Sequence, residues 1–580
     1  MQKLNDILEN GIREALKIAF ERGDLQPEIT QSTQVQFGDY QCNNALKLAK
    51  DLKANPRQVA QKIIDALTPE SSDVFSKIEI AGPGFINFTF KPSFLAEQIN
   101  HMLLDPHFGM DYPKHPKRVI VEFSSPNTAK ELHVGHLRST IIGDCLARIF
   151  EFLGETVIRL NHVGDWGTQF GMLIEYMREN VPDILTGDKK TDLPSLMQWY
   201  KNSKKQFDED PEFKKRAQLQ VVKLQGGDEA TLAAWKIICD ISRKSYGEIY
   251  DLLDVKLTER GESFYNPYLP SVVEDLEKRG LVTLSEGAKC IYLEGFEGRD
   301  GTPFPIIIQK SDGGYNYDTT DMAAICHRIE QEKAERIIYV TDAGQSLHFQ
   351  MLFKAAEKAG YLDPQKTRVD HVPFGVVLGP DGKKFKTRSG GTEKLIDLLY
   401  EAIKQAKTTL HERLPDLPSQ ELEKDAEILG INAVKYSDLS GHRIKDYVFS
   451  YERMLKFEGN TATFLLYAYV RIQSIKRKIG KDVPALLKRA LISLEHPSEI
   501  ALALHVLQFS EALRMVTEEL LPNRLADYLY LLAEKFHAFF RDCHVEGTPE
   551  EDSRLLLCEV TGKVFKQGLE LLGLKTLDKM

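Results

Sequence analysis

The sequence predicts an α/β protein built around a parallel sheet, with an α+β unit before the sheet and an all-helical region after it. Strand-like apolar runs alternate with helical patterns between residues 119 and 446, which favours parallel strands joined by helical crossovers. Strand-like runs flanking a glycine-rich turn lie within the first hundred residues. After about residue 450 the periodicity is helical throughout.

The N-terminal unit, residues 1–110, is predicted to combine helices with strands. Apolar residues recur at helical spacing over residues 4–22 and 43–52. Residues 78–80 and 85–90 alternate as strands do, and the Ala-Gly-Pro-Gly sequence between them is a strong turn signal. The polar, proline-containing residues 111–117 then favour a linker.

The central region, residues 111–450, carries the predicted parallel sheet. Ligands of such sheets bind outside the carboxyl ends of the strands. A polar, helix-rich stretch from about residue 175 to 300 interrupts the alternation, so we predict a helical insertion there. The chain has neither a G-x-G-x-x-G nor a Walker A sequence, and therefore neither a dinucleotide-binding fold nor a P-loop is supported. Strand-like runs occupy residues 119–123, 156–160, 336–340 and 371–377.

The C-terminal region, residues 451–580, is predicted to be all-helical. Residues 500–520 and 524–540 carry apolar side chains at three- and four-residue spacing, and Pro522 separates them. A basic cluster in this region has two open interpretations, a nucleic-acid-binding face or a solvated helix face with a linker. Its members are Arg471, Lys476, Arg477, Lys478 and Lys481.

The composition is that of a globular protein without membrane spans. The 580 residues include 42% hydrophobic and 28% charged residues, and the length predicts roughly two to four domains. The seven cysteines are scattered without a CxxC, which favours reduced thiols in a cytoplasmic chain. No signal peptide and no run near the ~20 apolar residues of a span are visible. The net charge of −10 argues against nucleic-acid binding by the surface as a whole, but a local basic face suffices.

Residues 124–136, Ser-Ser-Pro-Asn-Thr-Ala-Lys-Glu-Leu-His-Val-Gly-His, form the most informative segment. They follow an apolar strand and precede a helical pattern that begins near Leu137. The N-terminus of a helix offers unpaired N–H groups and partial positive charge. Gly135 permits close approach of a nucleotide, and His133 and His136 add hydrogen-bond donors. The segment predicts a phosphate site; a metal site is the weaker alternative, because no third ligand lies at zinc-like spacing.

A second glycine- and lysine-rich segment spans residues 378–392, after the apolar run 373–377. A transferring or leaving polyphosphate needs cations on a loop that can close. The alternative is an exposed hairpin with solvated lysines. The cations that cluster here are Lys383, Lys384, Lys386 and Arg388.

Three shorter segments are weak signals when taken singly. Tyr317 and Asp321 are four residues apart and would share one face of a helix. Asp321 suits bidentate pairing with a guanidinium, but it also suits a plain first-turn acid. Residues 341–349 contain Gln345, and residues 260–265 contain Glu262, which on its own is typical of a solvated loop.

Together these segments resemble the arginyl-tRNA synthetases of class I. Residues 124–136 are similar to the HIGH signature in its longer form, Ser-Pro-Asn-x-Ala-Lys-x-x-His-Val-Gly-His. Residues 385–389, Phe-Lys-Thr-Arg-Ser, stand where the KMSKS signature would lie, with Arg388 in place of its key lysine. Further similarities cover the family's amino-terminal tRNA-binding module (residues 37–43 and 81–88), a core segment (161–171) and the helical anticodon-binding domain (from 453–462).

The resemblance implies a Rossmann-like class I catalytic domain between the N-terminal α+β domain and an all-α anticodon-binding domain. It implies ligation of L-arginine to its tRNA through an arginyl-adenylate, with release of AMP and pyrophosphate. ATP and Mg²⁺ are then expected in the reaction, and arginine tRNA, L-arginine and ATP as partners. We also expect a monomer in the cytoplasm.

The same match implies roles for individual residues. Arginine is planar, permanently charged and rich in donors, so a selective pocket needs carboxylates in paired geometry, here Glu262 and Asp321. The expected substrate-binding residues are Ser125, Asn127, Glu262, Tyr317, Asp321 and Gln345, together with His136. The expected catalytic residues are His133, His136, Lys130, Lys383, Lys384 and Lys386, with the choice between Lys383 and Lys384 as the lysine that compensates for Arg388 left open. The expected ATP-binding residues are His133, Gly135, His136, Phe385, Arg388 and Ser389.

In the helical domain the resemblance makes four residues candidates for contacts with unpaired tRNA bases, although packing in the core is the alternative for at least half of them. They are Phe464, Tyr467, Tyr469 and Arg471. Two other functions also stay open. One is a different class I synthetase or nucleotidyl transferase with the same ATP machinery, and the other is a non-catalytic RNA-binding or regulatory paralogue.

Overall fold

The N-terminal unit is an antiparallel sheet covered by helices. The structure is a computed structural model that describes residues 2–22, 24–32, 34–67, 71–187, 189–298, 301–379, 381–383 and 394–580. The first helix buries Leu4, Leu8, Ile12 and Leu16, which recur every four residues and so form one apolar face. The strands β1 to β4 are Ile29–Gln31, Tyr40–Cys42, Phe75–Ala81 and Phe85–Phe90, in the order β1-β2-β4-β3. The helices α1 to α5 are Leu4–Phe20, Asn44–Leu52, Pro56–Asp65, Ser71–Val74 and Pro92–Leu104.

The predicted parallel sheet is confirmed. Five strands run parallel, in the order Arg368–Phe374 (β12), Arg336–Asp342 (β11), Arg118–Glu122 (β5), Thr156–Asn161 (β6) and Thr258–Glu259 (β7). Val119 and Val121 of β5 face the core that continues into the helical region, whereas Ile120 faces a second core on the other side of the sheet. Burial of both faces explains why this strand is a continuous apolar run. The strands from β5 onward are Arg118–Glu122, Thr156–Asn161, Thr258–Glu259, Thr283–Ser285, Ala288–Glu297, Pro303–Gln309, Arg336–Asp342, Arg368–Phe374, Val377–Leu378 and Tyr447–Val448 (β14).

Helices connect these strands and cover both faces of the sheet. Short 3₁₀ turns, Glu262–Tyr268 and Ala343–Gln345, follow β7 and β11. The helices α6 to α17 are Val134–Phe152, Thr168–Asn180, Pro182–Leu185, Leu193–Glu209, Pro211–Gln225, Glu229–Leu252, Leu269–Lys278, Tyr317–Glu330, Ser346–Lys358, Leu395–Arg413, Ser419–Leu439 and Tyr451–Met454.

The helical insertion predicted near residues 175–300 is too long. The run of consecutive helices ends at Leu252, after which β7 adds the edge strand of the parallel sheet and one further helix, α12, precedes β8. Farther on, β8 and β9 belong to a three-stranded antiparallel sheet with β10. Periodicity missed β7 because a strand of two residues has no period to detect.

The C-terminal region is helical, as expected. The apolar pattern at residues 500–520 is two helices that meet at Gln508, and the Tyr528 hydroxyl donates to the carbonyl of His505 at 3.0 Å near this break. The helices α18 to α23 are Ala462–Ile479, Val483–Leu486, Pro497–Leu507, Phe509–Glu519, Asn523–Asp542 and Glu551–Leu571.

The basic cluster of the C-terminal region is largely paired within the protein. Lys476 contacts Glu559 at 2.5 Å, and Lys478 contacts Glu546 at 2.5 Å. Lys481 lies 2.5 Å from Glu551. Lys478 stays largely exposed within its ion pair, so these contacts favour the interpretation as a solvated helix face rather than as a free nucleic-acid face.

One stretch of the described residues, Pro497–Glu519, is long and apolar enough to cross a membrane by length and composition alone. The sequence expectation that no run approaches that length overlooked it. It spans the two helices α20 and α21, 61% of it is buried inside the protein, and Leu502, Val506 and Phe509 belong to the main core. Core packing therefore explains its composition.

The cysteines are free thiols. All seven lie within the described residues, six of them buried and Cys326 half-buried. Burial raises the pKa of Cys42 and Cys558 to about 12, so these thiols stay protonated at neutral pH.

Candidate active site

The chain leaves β5 in a strained turn that leads into α6. Ser124, Ser125 and Ala129 have φ of 69°, 45° and 61°, a region that costs a non-glycine residue about 1–2 kcal/mol. Hydrogen bonds stabilise this backbone conformation. The Ser124 N–H donates to Ser139 Oγ and the Ser125 N–H donates to Asn161 Oδ1, both at 2.9 Å. The turn is thus fixed before any ligand arrives.

The two predicted histidines cap α6 with their own rings. His133 Nδ1 accepts the Gly135 N–H and His136 Nδ1 accepts the His133 N–H, each at 3.1 Å. Burial, with the nearby charge of Lys130, lowers the pKa of His133, and burial together with His133 lowers that of His136 to about 3. A neutral imidazole whose Nδ1 accepts carries its proton on Nε2. Each ring therefore offers an Nε2–H donor rather than a positive charge.

The His133 ring leaves no room for a side chain at Gly135. A Cβ at Gly135 would lie 2.9 Å from His133 Cε1 and 3.0 Å from its Nδ1. Lys130 lies exposed on the same turn, and its carbonyl accepts the Tyr246 hydroxyl at 2.8 Å. The carbonyl of Asn127 accepts the same hydroxyl at 2.8 Å, so α11 supports the turn.

The structure describes the beginning of the second predicted segment and the residues just after its end. Gly379 N–H donates to the carbonyl of Lys383 at 2.8 Å, and Lys383 is exposed. On the far side, Lys394 forms an antiparallel β-bridge with His133, and its Nζ lies 2.5 Å from Glu131. Lys394, two residues after the segment, therefore lies on the histidine turn. The predicted Lys384, Phe385, Lys386, Arg388 and Ser389 lie outside the described residues.

The turns after β5 and β6 interlock. Ser125 Oγ accepts the His162 N–H at 3.2 Å, and Asn127 forms a β-bridge with Gly164. A Cβ at Gly164 would lie 2.2 Å from Asn127 Oδ1, so only glycine admits this contact. Ser125 and Asn127 thus reach the carboxyl ends of two neighbouring strands.

Glu262 begins the 3₁₀ turn after β7 and faces negative charge. Its N–H donates to the carbonyl of Val163 at 3.0 Å, and the next residue, Ser263, donates to Asp165 from both its N–H (2.9 Å) and its Oγ (2.7 Å). Burial, with the charges of Asp321 and Asp165, raises the pKa of Glu262 to about 8. A carboxyl group whose pKa is raised by burial and by neighbouring carboxylates is typical of a functional site.

Asp321, on α13, is held by a charged histidine. His348 Nε2 donates to Asp321 Oδ2 at 2.7 Å, and His348 Nδ1 lies 3.2 Å from Asp318 Oδ1. Burial alone would lower the pKa of His348, but the two carboxylates raise it to about 10. Burial likewise acts to raise the pKa of Asp321, but the hydrogen bond and charge of His348 hold it below its usual value. On the other side, His162 Nε2 lies 3.7 Å from Asp321 Oδ1.

Tyr317 and Gln345 complete the predicted set. Tyr317 is the first residue of α13, 60% exposed, with its ring 5.2 Å from the His348 ring. Gln345 ends the 3₁₀ turn after β11, and its amide donates to Asp342 at 2.9 Å. The structure thus brings Ser125, Tyr317 and Asp321 into one chain of contacts, with Asn127 and Glu262 on the adjoining turns. Gln345 stands at the carboxyl end of β11 with its amide engaged by Asp342.

Sequence reasoning missed His162, Asp165 and His348. All three lie inside segments that the sequence had singled out, residues 161–171 and 341–349. No spacing rule connects His348 with Asp321, because the two lie on different helices 27 residues apart. The signal available was chemical: a histidine near the start of a helix within a segment already suspected of binding a ligand.

An aromatic surface lies between α18 and α22. The Arg471 guanidinium stacks 4.6 Å from the Tyr467 ring centroid and 4.8 Å from that of Phe540. The Phe464 ring lies 5.1 Å from the ring of His537, whose Nε2 is buried without a hydrogen-bond partner. Tyr469, in contrast, is buried in the core.

Comparison with known families covers nearly the whole chain. The family model described as tRNA synthetases class I (R), catalytic domain, matches residues 98–451. The arginyl tRNA synthetase N terminal domain matches residues 6–90, and the DALR anticodon binding domain matches residues 465–580.

Individual relatives and solved structures agree with these matches. The arginine–tRNA ligase of Protochlamydia amoebophila is 62% identical over 585 residues, covering 100% of both chains, and that of Chlamydia felis is 52% identical over 569 residues, covering 98% of both. The crystal structure of arginyl-tRNA synthetase from Plasmodium falciparum superposes with a TM-score of 0.87 at 34% identity, covering 100% of each chain. That of Thermus thermophilus superposes with a TM-score of 0.81 at 25% identity, again over 100% of each chain. The chain therefore belongs to the arginyl-tRNA synthetases, a family of class I.

Proposed function

We propose that this arginine–tRNA ligase activates L-arginine in the pocket at the carboxyl ends of β5, β6 and β7, with the arginine guanidinium between Glu262 and Asp321. The observation that supports this placement is the grouping of acidic side chains around Glu262 and Asp321. Asp318 and Asp321 contact the His348 imidazolium, and the negative charges of Asp321 and Asp165 act on the nearby Glu262. A planar guanidinium with donors on two edges suits such a group of carboxylates better than an ammonium does.

ATP would lie against the N-terminus of α6. The Nε2–H groups of His133 and His136, at the positive end of the α6 dipole, are donors suited to phosphate oxygens. Lys130 and Lys383 would add positive charge, together with the cations at Lys384, Lys386 and Arg388. The contact between Lys394 and the histidine turn supports placing both segments on one nucleotide.

The reaction then needs positioning and charge stabilisation rather than a protein nucleophile. The arginine carboxylate attacks the α-phosphate of ATP, and the bond to the β-phosphate breaks with release of pyrophosphate. The terminal adenosine of the tRNA attacks the arginyl carbonyl, and AMP leaves. The neutral state of His133 and His136 fits donation of hydrogen bonds to phosphate without proton transfer.

We propose that Mg²⁺ enters as part of the ATP substrate. Within the described residues no group of three or more His, Cys, Asp or Glu side chains is arranged to hold a metal ion. Mg²⁺ commonly keeps several waters and is bound largely through substrate phosphates, which agrees with such a protein surface. The side chains of this chain would therefore contact the phosphates, not the ion.

The tRNA would be read by the aromatic surface of α18 and α22. Phe464, Tyr467 and Arg471 offer stacking faces for unpaired bases. We place the domain limits at residues 1–110, 111–450 and 451–580; β14, which pairs with β13, is the last strand before the helical region. We further propose that the chain acts as a cytoplasmic monomer.

Substitution of Asp321 tests the pocket. Asp321→Asn keeps the volume but removes the charge that would meet the guanidinium. We expect the KM for arginine in tRNA charging to rise about 100-fold or more, as follows from loss of one partner of a buried charge pair, while the KM for ATP changes less than about threefold. Glu330→Gln, at an exposed position of the same helix, is the matched control and should behave as the unsubstituted protein. An equal rise in both KM values would contradict the assignment.

A further inference from the structure

His348 is clamped between two carboxylates and two aromatic rings. Its Nε2 donates to Asp321 Oδ2 at 2.7 Å, and its Nδ1 lies 3.2 Å from Asp318 Oδ1. The rings of Tyr317 and Phe349 each lie 5.2 Å from the imidazole, at 64° and 69°. Asp318 is held in turn by the Asn316 amide at 3.1 Å. The imidazole therefore has one orientation, set by partners on α13 and α14.

The consequence for Asp321 is geometric. A carboxylate rotates freely about its last torsion unless one oxygen is fixed. His348 fixes Oδ2 and leaves Oδ1 toward His162, 3.7 Å away, on the side of the turn after β6. A guanidinium needs a carboxylate in a defined plane for two parallel hydrogen bonds, whereas an ammonium accepts almost any orientation.

We propose that His348 is a positioning residue that sets the preference for arginine over lysine by fixing the plane of the Asp321 carboxylate. The proposal rests on the proposed contact between Asp321 and the substrate guanidinium. His348 itself does not touch the substrate; it acts through Asp321. The two carboxylates keep the imidazole charged, which makes its bond to Asp321 a strong, charge-assisted one.

A neighbouring histidine provides a contrast. His371, on β12, is bonded through Nε2 to Thr341 Oγ1 at 2.8 Å and stacks on Phe349. Burial, with the charge of Arg443, lowers its pKa to about 4, so it is neutral. It shares the surroundings of His348 but not the role, and it is therefore the natural control.

Two isosteric substitutions separate positioning from packing. His348→Gln places an amide nitrogen near the original Nε2 and keeps the bond to Asp321, while His348→Asn places one near Nδ1 and keeps only the contact with Asp318. In tRNA charging we expect the KM for arginine to rise about 3- to 10-fold for His348→Gln and about 30- to 100-fold for His348→Asn. The KM for ATP and kcat should change less than about threefold in both.

Lysine supplies the second readout. With L-lysine as a competitive inhibitor, its inhibition constant should change less than about threefold in either variant, so that discrimination falls most in His348→Asn. Equal effects of Gln and Asn, parallel losses toward ATP, or unchanged arginine use in both variants would each overturn the proposal. His371→Gln should leave the KM for arginine unchanged.

Two further measurements keep the test decisive. If His348→Asn does not fold, Asp318→Asn replaces it, because it removes the second carboxylate and should raise the KM for arginine but not for ATP. If Asp321→Asn does not weaken arginine use, the proposed function fails first. If Asp321→Asn behaves as expected and the His348 variants do not, only this inference fails.

Discussion

Glu262 shows how much of the site chemistry depends on neighbours that a sequence does not reveal. As a residue in Arg-Gly-Glu-Ser-Phe-Tyr it is typical of a solvated loop acid. In the structure, burial and the charges of Asp321 and Asp165 raise its pKa to about 8. The same holds for His348, whose charge comes from two carboxylates on another helix. The residue types of the pocket could be predicted from the sequence, but their protonation states required the fold.

The Glu262 pKa predicts that arginine binding is linked to proton release. Below pH 8 the free protein holds Glu262 protonated, and pairing with a guanidinium requires the ionised form. The association constant for arginine should therefore rise with pH between 6 and 8, by up to about tenfold per unit, and level off above 8. Calorimetry in buffers of different ionisation enthalpy measures the released proton.

The control for this linkage is Glu262→Gln, which has no proton to lose. Its arginine affinity should be weaker and nearly independent of pH over the same range. Retention of the full pH dependence in this variant would assign the proton to another group.

At the scale of elements, the predicted parts are those with a period or a turn signal. The β5 strand and the helix after the histidines were predicted because an apolar run and a helical periodicity are local properties. The two-residue β7 was not, and neither was the break between α20 and α21 at Gln508, where the apolar pattern continues across both helices. The contact between Lys394 and His133 joins positions that are distant in the chain, and local patterns carry no information about it.

One buried ion pair connects α6 and α16 with the residues next to β13 and β14. Arg138, in the second turn of α6 and 1% exposed, lies 3.1 Å from Asp438 of α16. Its Nη1 donates to the carbonyls of Gly375 (2.8 Å) and Lys445 (3.1 Å), which flank β13 and β14. The pair thus fixes the histidine helix relative to the strand that precedes the lysine-rich segment.

Breaking this pair should be costly. Asp438→Asn leaves the Arg138 charge buried without its counter-charge, and we expect unfolding in urea to show a loss of about 3–5 kcal/mol. Replacing both partners, Arg138→Met with Asp438→Leu, should cost less than the single change because no charge then remains buried. A double variant less stable than Asp438→Asn would contradict this account.

At the scale of the whole molecule, the N-terminal unit and the C-terminal helices touch directly. The Tyr40 hydroxyl donates to Glu511 at 2.6 Å, and the Gln31 amide donates to the same carboxylate at 2.8 Å. The Asn100 side-chain amide donates from Nδ2 to the carbonyl of Ile492 at 3.0 Å, and its Oδ1 accepts the Ile492 N–H at 2.9 Å. The family resemblance predicted the presence of these two regions, but only the structure shows that they share an interface.

The Tyr40 contact predicts a stability effect. Tyr40→Phe removes one donor from the half-buried Glu511 carboxylate, and we expect a loss of about 1–3 kcal/mol in the free energy of unfolding. Tyr530→Phe, which removes a more exposed bond to Glu534, should change stability by less than about 0.5 kcal/mol. Equal losses in the two variants would show that the interface bond adds nothing.

The strand order of the parallel sheet has a thermodynamic consequence. From β5 the chain builds β6 and β7 on one side, and it returns to build β11 and β12 on the other. Asn127 and Glu262 belong to the first half of the sheet, while Gln345 belongs to the second. A ligand held from both halves acts as a reversible cross-link between segments that are far apart in the chain, and at 100 times its dissociation constant it stabilises the folded state by about 2.7 kcal/mol. Arginine would then be a structural component of the sheet as well as a substrate.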